Sequence, residues 1–225
     1  MKLKLKLLVV GLSVLSIAQA SIQAQVVYDN LGTTLNAAFS QANTAAPIFG
    51  DALNLTSGGT LGNFGLSLYN SSSSAGPILT GTTVVKFYDN TTAYAGGVLS
   101  NPLLGTATVT WDYTAEGGLA AGFYDVSTFD LSSYNITLTP NIFVTQQFTQ
   151  TSGTGTRNGI IVFSDPTVGS SPSSLYIKST ATAEGLYTIG GFGQLGLSIE
   201  LVPEPTTFAL AGLGSAALMI FRRRK

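Results

Sequence analysis

Between Val26 and Val202 apolar and polar residues alternate with a period of two in segment after segment. Thr106-Ala107-Thr108-Val109-Thr110-Trp111 turns Ala107, Val109 and Trp111 one way and three threonines the other. Phe64-Gly65-Leu66-Ser67-Leu68, Tyr134 to Thr139 and Leu195 to Leu201 repeat the design. Successive side chains of a strand point to opposite faces, so each segment predicts a strand with one buried and one solvated face. Val84 to Tyr88, Ile142-Phe143-Val144 and Ile160 to Phe163 read instead as strands buried on both faces. Clusters of Gly, Pro, Asn, Asp and Ser at 70–77, 101–102, 116–118, 153–159 and 165–172 separate these runs. Turn chemistry at such short intervals divides strands rather than helices. Thr34 to Ala42, with Leu35, Phe39 and Ala42 roughly on one face, is the one helical candidate. About ten strands without a βαβ rhythm predict an all-β fold, an antiparallel β-sandwich or jelly roll.

Both ends break this pattern. Lys2, Lys4 and Lys6 precede the apolar run Leu7 to Ala18, and Ala18-Gln19-Ala20 supplies a small-residue cleavage site. That three-part order predicts a signal peptide over residues 1–24, cut after Ala20 or Ala24. At the other end Val202-Pro203-Glu204-Pro205 leads into the uncharged Thr206 to Phe221 and then Arg222-Arg223-Arg224-Lys225. Two prolines exclude helix and central strand around Glu204 and hold it extended, the geometry a processing cleft needs. As a helix the segment 206–221 would span about 24 Å, short of the roughly 30 Å hydrocarbon core of a bilayer. The basic cluster marks the cytoplasmic, stop-transfer end. The expected organisation is a signal peptide (1–24), an ectodomain (25–201) and a tail (202–225).

Charge sharpens the division. Seven of the ten cations sit at the ends, and from Gln25 to Val202 only Lys86, Arg157 and Lys178 face ten acids, a net charge of −7. Such a domain has too few cations to displace counterions from nucleic acid. It suits a divalent cation or simple solubility instead. The chain has no Cys and no His. This rules out a Cys nucleophile, His-dependent triads and metal sites, and thiolate zinc. An exported fold without disulfides must rest on packing.

The densest acidic group is Asp112, Glu116, Asp125 and Asp130, beside Trp111 and Tyr113, whose rings could stack on a pyranose. A glycosidase needs two carboxylates across the sugar. Spacing singles out no pair, so no catalytic residue is assigned. Asp89, Asn90 and Asp165 offer loop oxygens of the kind Ca²⁺ takes, but without an EF-hand-type spacing, and no cofactor is required. Tyr88, Tyr94, Trp111 and Tyr113 could form a carbohydrate surface or pack inside the sandwich.

Pro203-Glu204-Pro205, the apolar segment and the terminal arginines together resemble the PEP-CTERM sorting signal of certain Gram-negative and related bacteria. The resemblance implies an exosortase, a membrane-embedded transpeptidase-like enzyme, that removes the tail. It also implies transient passage through the inner membrane and delivery to the cell surface or medium, typically in bacteria that make exopolysaccharide. The ectodomain resembles choice-of-anchor modules through Val27 to Leu31, Phe64 to Tyr69 and Gly76-Pro77-Ile78-Leu79, a family that carries no assigned chemistry. The expected role is a non-enzymatic structural or adhesive component of the surface or matrix. The alternatives are a polysaccharide-binding module and a secreted carbohydrate-active enzyme.

Overall fold

A computed structural model of the chain describes residues 24–90, 99–172, 174–187 and 194–202. Its first strands are β1 (Gln25–Asp29), β2 (Leu35–Ala42), β3 (Ile48–Asn54), β4 (Gly59–Asn70) and β5 (Ile78–Asp89). There follow β6 (Leu103–Asp112), β7 (Tyr124–Asp130), β8 (Thr137–Leu138), β9 (Asn141–Gly153) and β10 (Arg157–Phe163). The last are β11 (Leu175–Lys178), β12 (Gly185–Tyr187), β13 (Gln194–Leu195) and β14 (Leu197–Leu201). One sheet runs β1-β14-β4-β10-β13, with β2 on β10 and with β7 and β8 on β4; the other runs β12-β11-β3-β9-β5-β6. Only β5-β6 and β11-β12 are neighbours in both sequence and sheet, so the chain crosses between sheets after most strands. The result is an antiparallel β-sandwich.

The period of two decides what fills it. Phe64, Leu66 and Leu68 of β4, Ile160 and Val162 of β10, and Leu197, Ile199 and Leu201 of β14 form one inner face. Phe49 and Leu53, Val85 and Phe87, Ala107, Val109 and Trp111, and Ile142 and Val144 form the other. Phe64 meets Phe87 edge to face across the gap, ring centroids 5.3 Å apart. β6 matches its sequence pattern residue for residue, with Thr106, Thr108 and Thr110 exposed.

Several expectations need correction. Thr34 to Ala42 is not a helix: β2 pairs with β10 from Arg157↔Ala42 to Phe163↔Leu35. A nine-residue helix is marginal alone, and pairing with a buried neighbour outweighs its weak amphipathy. Val84 to Tyr88 is buried on one face only, since Lys86 points to solvent. Tyr134 to Thr139 is not one strand. A 3-10 turn, Ser132–Tyr134, ends at Asn135 in the left-handed region (φ 51°), and only Thr137–Leu138 pairs.

β4, conversely, is buried on both faces. A Cβ on Gly65 would collide with the Ser198 hydroxyl and come 2.7 Å from Leu31, which cover it. Next to it β4 forks: β14 takes Leu61 to Leu66, while β10 takes Tyr69 and Asn70. At the fork the Ser67 hydroxyl accepts the Ile161 N–H at 3.1 Å.

Side chains also close the margins. The Tyr134 hydroxyl accepts the Thr108 N–H at 3.2 Å and donates to the Thr108 carbonyl at 2.9 Å, blocking part of the β6 edge. Asn30, fully buried, joins the first strand to the last. Its Nδ2 donates to the Leu195 carbonyl at 2.9 Å, and its Oδ1 accepts the Leu197 N–H at 2.8 Å. Asn30→Ala orphans both backbone groups and should cost about 2–4 kcal/mol. Urea titration should show a lower midpoint at unchanged slope; a loss below about 1 kcal/mol would contradict this account.

Candidate functional site: the exit of the last strand

The chain leaves the sandwich through β14, an interior strand flanked by β1 and β4. Its register on β4 runs Leu197↔Leu66, Ser198↔Gly65, Ile199↔Phe64 and Leu201↔Leu61, with an irregularity between Ile199 and Leu201. Leu201 is buried. The Val202 N–H still donates to the Thr60 carbonyl at 2.8 Å, and Asn63 Nδ2 donates to Glu200 Oε2 at 2.8 Å. A Cβ on Gly62 would lie 3.1 Å from the Val202 nitrogen and 3.2 Å from the Glu200 carbonyl oxygen, so glycine permits this close passage. The next residue is Pro203, which has no N–H to continue a ladder. Pro203, Glu204, Pro205, the apolar segment, Arg222 to Lys225, and the signal segment with Ala18 and Ala20 lie outside the described residues. Among the described residues no helix is long and apolar enough to cross a membrane.

Of the acids and aromatics singled out for chemistry, Glu116 is exposed in the turn after β6, whereas Asp112, Asp125, Asp130 and Trp111 are engaged locally. Asp112 Oδ1 accepts the Thr114 hydroxyl at 2.6 Å and its N–H at 3.0 Å. Asp130 Oδ1 accepts the Ser132 N–H at 2.9 Å. The Thr114 hydroxyl and N–H hold the Asp112 carboxyl below its ordinary range, and Ser132 does the same for Asp130. Asp125 Oδ2 accepts the Ser127 hydroxyl at 2.7 Å and the Tyr113 hydroxyl at 3.1 Å. Trp111 is 2% exposed, donates Nε1–H to the Thr83 hydroxyl at 2.8 Å and meets Phe129 edge-on at 5.1 Å. It is a core residue, closed to a sugar ring. Tyr88 is half-buried and Tyr94 lies outside the described residues.

The loop oxygens proposed for Ca²⁺ are likewise occupied. Asp89 Oδ1 accepts the Thr139 hydroxyl, Asn90 Oδ1 accepts Asn101 Nδ2–H, and Asp165 Oδ1 accepts Gln194 Nε2–H. Among the described residues no three of His, Cys, Asp and Glu gather as a metal group. Large aromatic surface is exposed elsewhere, at Phe123 (64%) and Tyr124 (46%) where β7 begins.

Residues 201–225 match the PEP-CTERM protein-sorting motif. The tail is a PEP-CTERM sorting signal. Such a motif implies an exported chain sorted by an exosortase. The match begins at Leu201, so the PEP-CTERM signal and the fold share Leu201 and Val202. Among curated proteins none matches the chain. Among solved structures it is similar to the T=1 particle derived from infectious bursal disease virus, at 13% identity and a TM-score of 0.35. That match covers 91% of this chain and 48% of the other, so the chain spans about half the length of that capsid chain. It is also similar to TmCBM61, solved with β-1,4-galactotriose, at 11% identity and a TM-score of 0.27, covering 69% and 88%. No inference rests on likenesses this distant.

One buried acid was missed. Asp51 is fully buried on β3 between Phe49 and Leu53, which face the core, so it occupies an apolar position of the alternation. That misplaced carboxyl was the available signal. Its Oδ2 accepts the Leu195 N–H at 3.0 Å, and its Oδ1 accepts the Ser171 hydroxyl at 2.9 Å, tying the two sheets together. Burial pushes the Asp51 carboxyl well above the usual range, against the lowering by those hydrogen bonds. Burial and the Asp51 charge push the neighbouring Tyr28 hydroxyl up as well.

A carboxyl raised on folding holds its proton more tightly in the native state. Its contribution is therefore complete below the unfolded value near 3.8 and is lost as pH rises through the folded value. Stability should fall with rising pH above about 4, this group contributing a slope of at most about 1.4 kcal/mol per pH unit. Asp51→Asn keeps an acceptor for Leu195 and should flatten that part of the profile while raising stability at pH 7. Denaturant midpoints from pH 3 to 9 decide it: a mutant less stable at every pH would refute the destabilising effect of this buried carboxyl.

Proposed function

We propose that residues 26–202 form a non-enzymatic structural or adhesive component of the bacterial surface or extracellular matrix, delivered there by the PEP-CTERM signal. The observation that carries this reading is how the candidate chemistry is spent. Asp112 and Asp130 hold turns by accepting hydrogen bonds from residues two positions on, Asp125 ties β7 to Tyr113, and Trp111 is packed between the sheets. Asp112 and Asp130, held low by local donors, do not supply the raised general acid that glycoside cleavage requires. The few ionic contacts and the blocked β6 edge suit a domain that persists outside the cell as a soluble building block.

Exposed Phe123 and Tyr124 favour a second reading, a polysaccharide-binding module. An aromatic face is a general platform for sugar rings, and these two adjoin one sheet margin.

Mass spectrometry of the mature protein from its native host tests delivery. The expected product lacks residues beyond about Pro205, whereas surface protein still carrying Arg222 to Lys225 would sink the sorting assignment. Pull-down on the host's own matrix polysaccharide separates the two roles. Binding that Phe123→Ala with Tyr124→Ala abolishes at unchanged stability establishes the binding module. Absence of any glycan retention leaves the structural role standing. Hydrolysis of a polysaccharide, lost on Asp112→Asn or Glu116→Gln, would replace both with an enzyme.

A further inference from the structure

The sandwich holds its last strand up to the residue before the sorting motif. β14 has no free edge, because β1 and β4 lie on either side of it. Leu197, Ile199 and Leu201 are buried, and the ladder is still engaged at Val202 through its bond to Thr60. The next residue in the sequence, Pro203, has no N–H with which to continue a ladder, and a proline there biases Val202 towards extended conformations. One proline thus closes the strand and opens the motif.

A protease or transpeptidase cleft reads a chain whose backbone donors and acceptors are free. Upstream of Pro203 those groups are committed, to β4 as far as Val202 and to the neighbouring β1 along β14. Drawing them into a cleft would break two ladders and expose Leu201 and Ile199 to water.

Resting on the PEP-CTERM assignment above, we propose that the end of β14 is a steric stop for the sorting enzyme: exosortase engages this chain only from Pro203 onward, and the folded edge around Thr60, Gly62 and Val202 abuts its cleft. The mature domain then keeps β14 whole. A cut just beyond Pro205 would leave three residues, at most about 10 Å of chain, between the sandwich and whatever receives the new C-terminus. Crowding at the stop limits the rate of processing.

The test uses the full-length chain in its native host, with pulse-chase for the rate of tail removal and mass spectrometry for the new C-terminus. One variant receives six Gly/Ser residues between Val202 and Pro203. A control receives the same insert between Gly117 and Gly118, in an exposed turn remote in sequence from the exit. The wild-type product should end at or beyond Pro203. The exit insert should speed processing several-fold while leaving the cut at the same distance from Pro203, and the control should match wild type. A wild-type terminus inside residues 197–202, an exit insert no faster than wild type, or equal acceleration by the control would overturn the stop. Retention of the whole tail by all three chains would instead overturn the sorting assignment, and the stop with it.

Discussion

The pairing of Asn30 with Leu195 and Leu197 holds the rest of this architecture in place. It fastens the first strand to the last two by bonding the Leu195 carbonyl and the Leu197 N–H. A domain with no cysteine, and with Lys178–Glu184 as its ion pair among the described residues, has few other means of closing gaps. Buried backbone groups must find partners, and here short polar side chains serve. Asn30, Asp51, Ser67 and Tyr134 each complete a break where strands fork, end or change sheets. The richness in Ser, Thr and Asn is therefore structural as well as superficial.

The fold class was legible because alternation is a direct consequence of strand geometry. β6 and β14 follow their sequence pattern closely, and the apolar runs at Ile142 and Ile160 are the strands covered on both faces. What escaped were properties set by partners distant in sequence. β2 looked helical since its apolar spacing is compatible with either period, and only its pairing with β10 decides. Gly65 and Ser67 looked solvated since nothing local announces that Leu31, Ser198 and Ile161 will cover or bond them. Trp111 looked available for a ligand because its neighbour Phe129 lies on the opposing sheet.

The sorting site was legible for a different reason. A peptide motif is read by an enzyme as linear sequence, so Pro203-Glu204-Pro205 declares itself without a fold. The structure contributes its setting. Motif and sandwich overlap at Leu201 and Val202, with no spacer between the last buried side chain and the first proline.

The scarcity of cations has a consequence for survival outside the cell. Proteases that cut after lysine or arginine find only Lys86, Arg157 and Lys178 between the signal and the tail. All three belong to strands, β5, β10 and β11, whose backbones are paired with neighbours. Scission there requires the sheet to open first. Resistance to trypsin-like digestion is thus built into the same sparse charge that leaves the domain acidic.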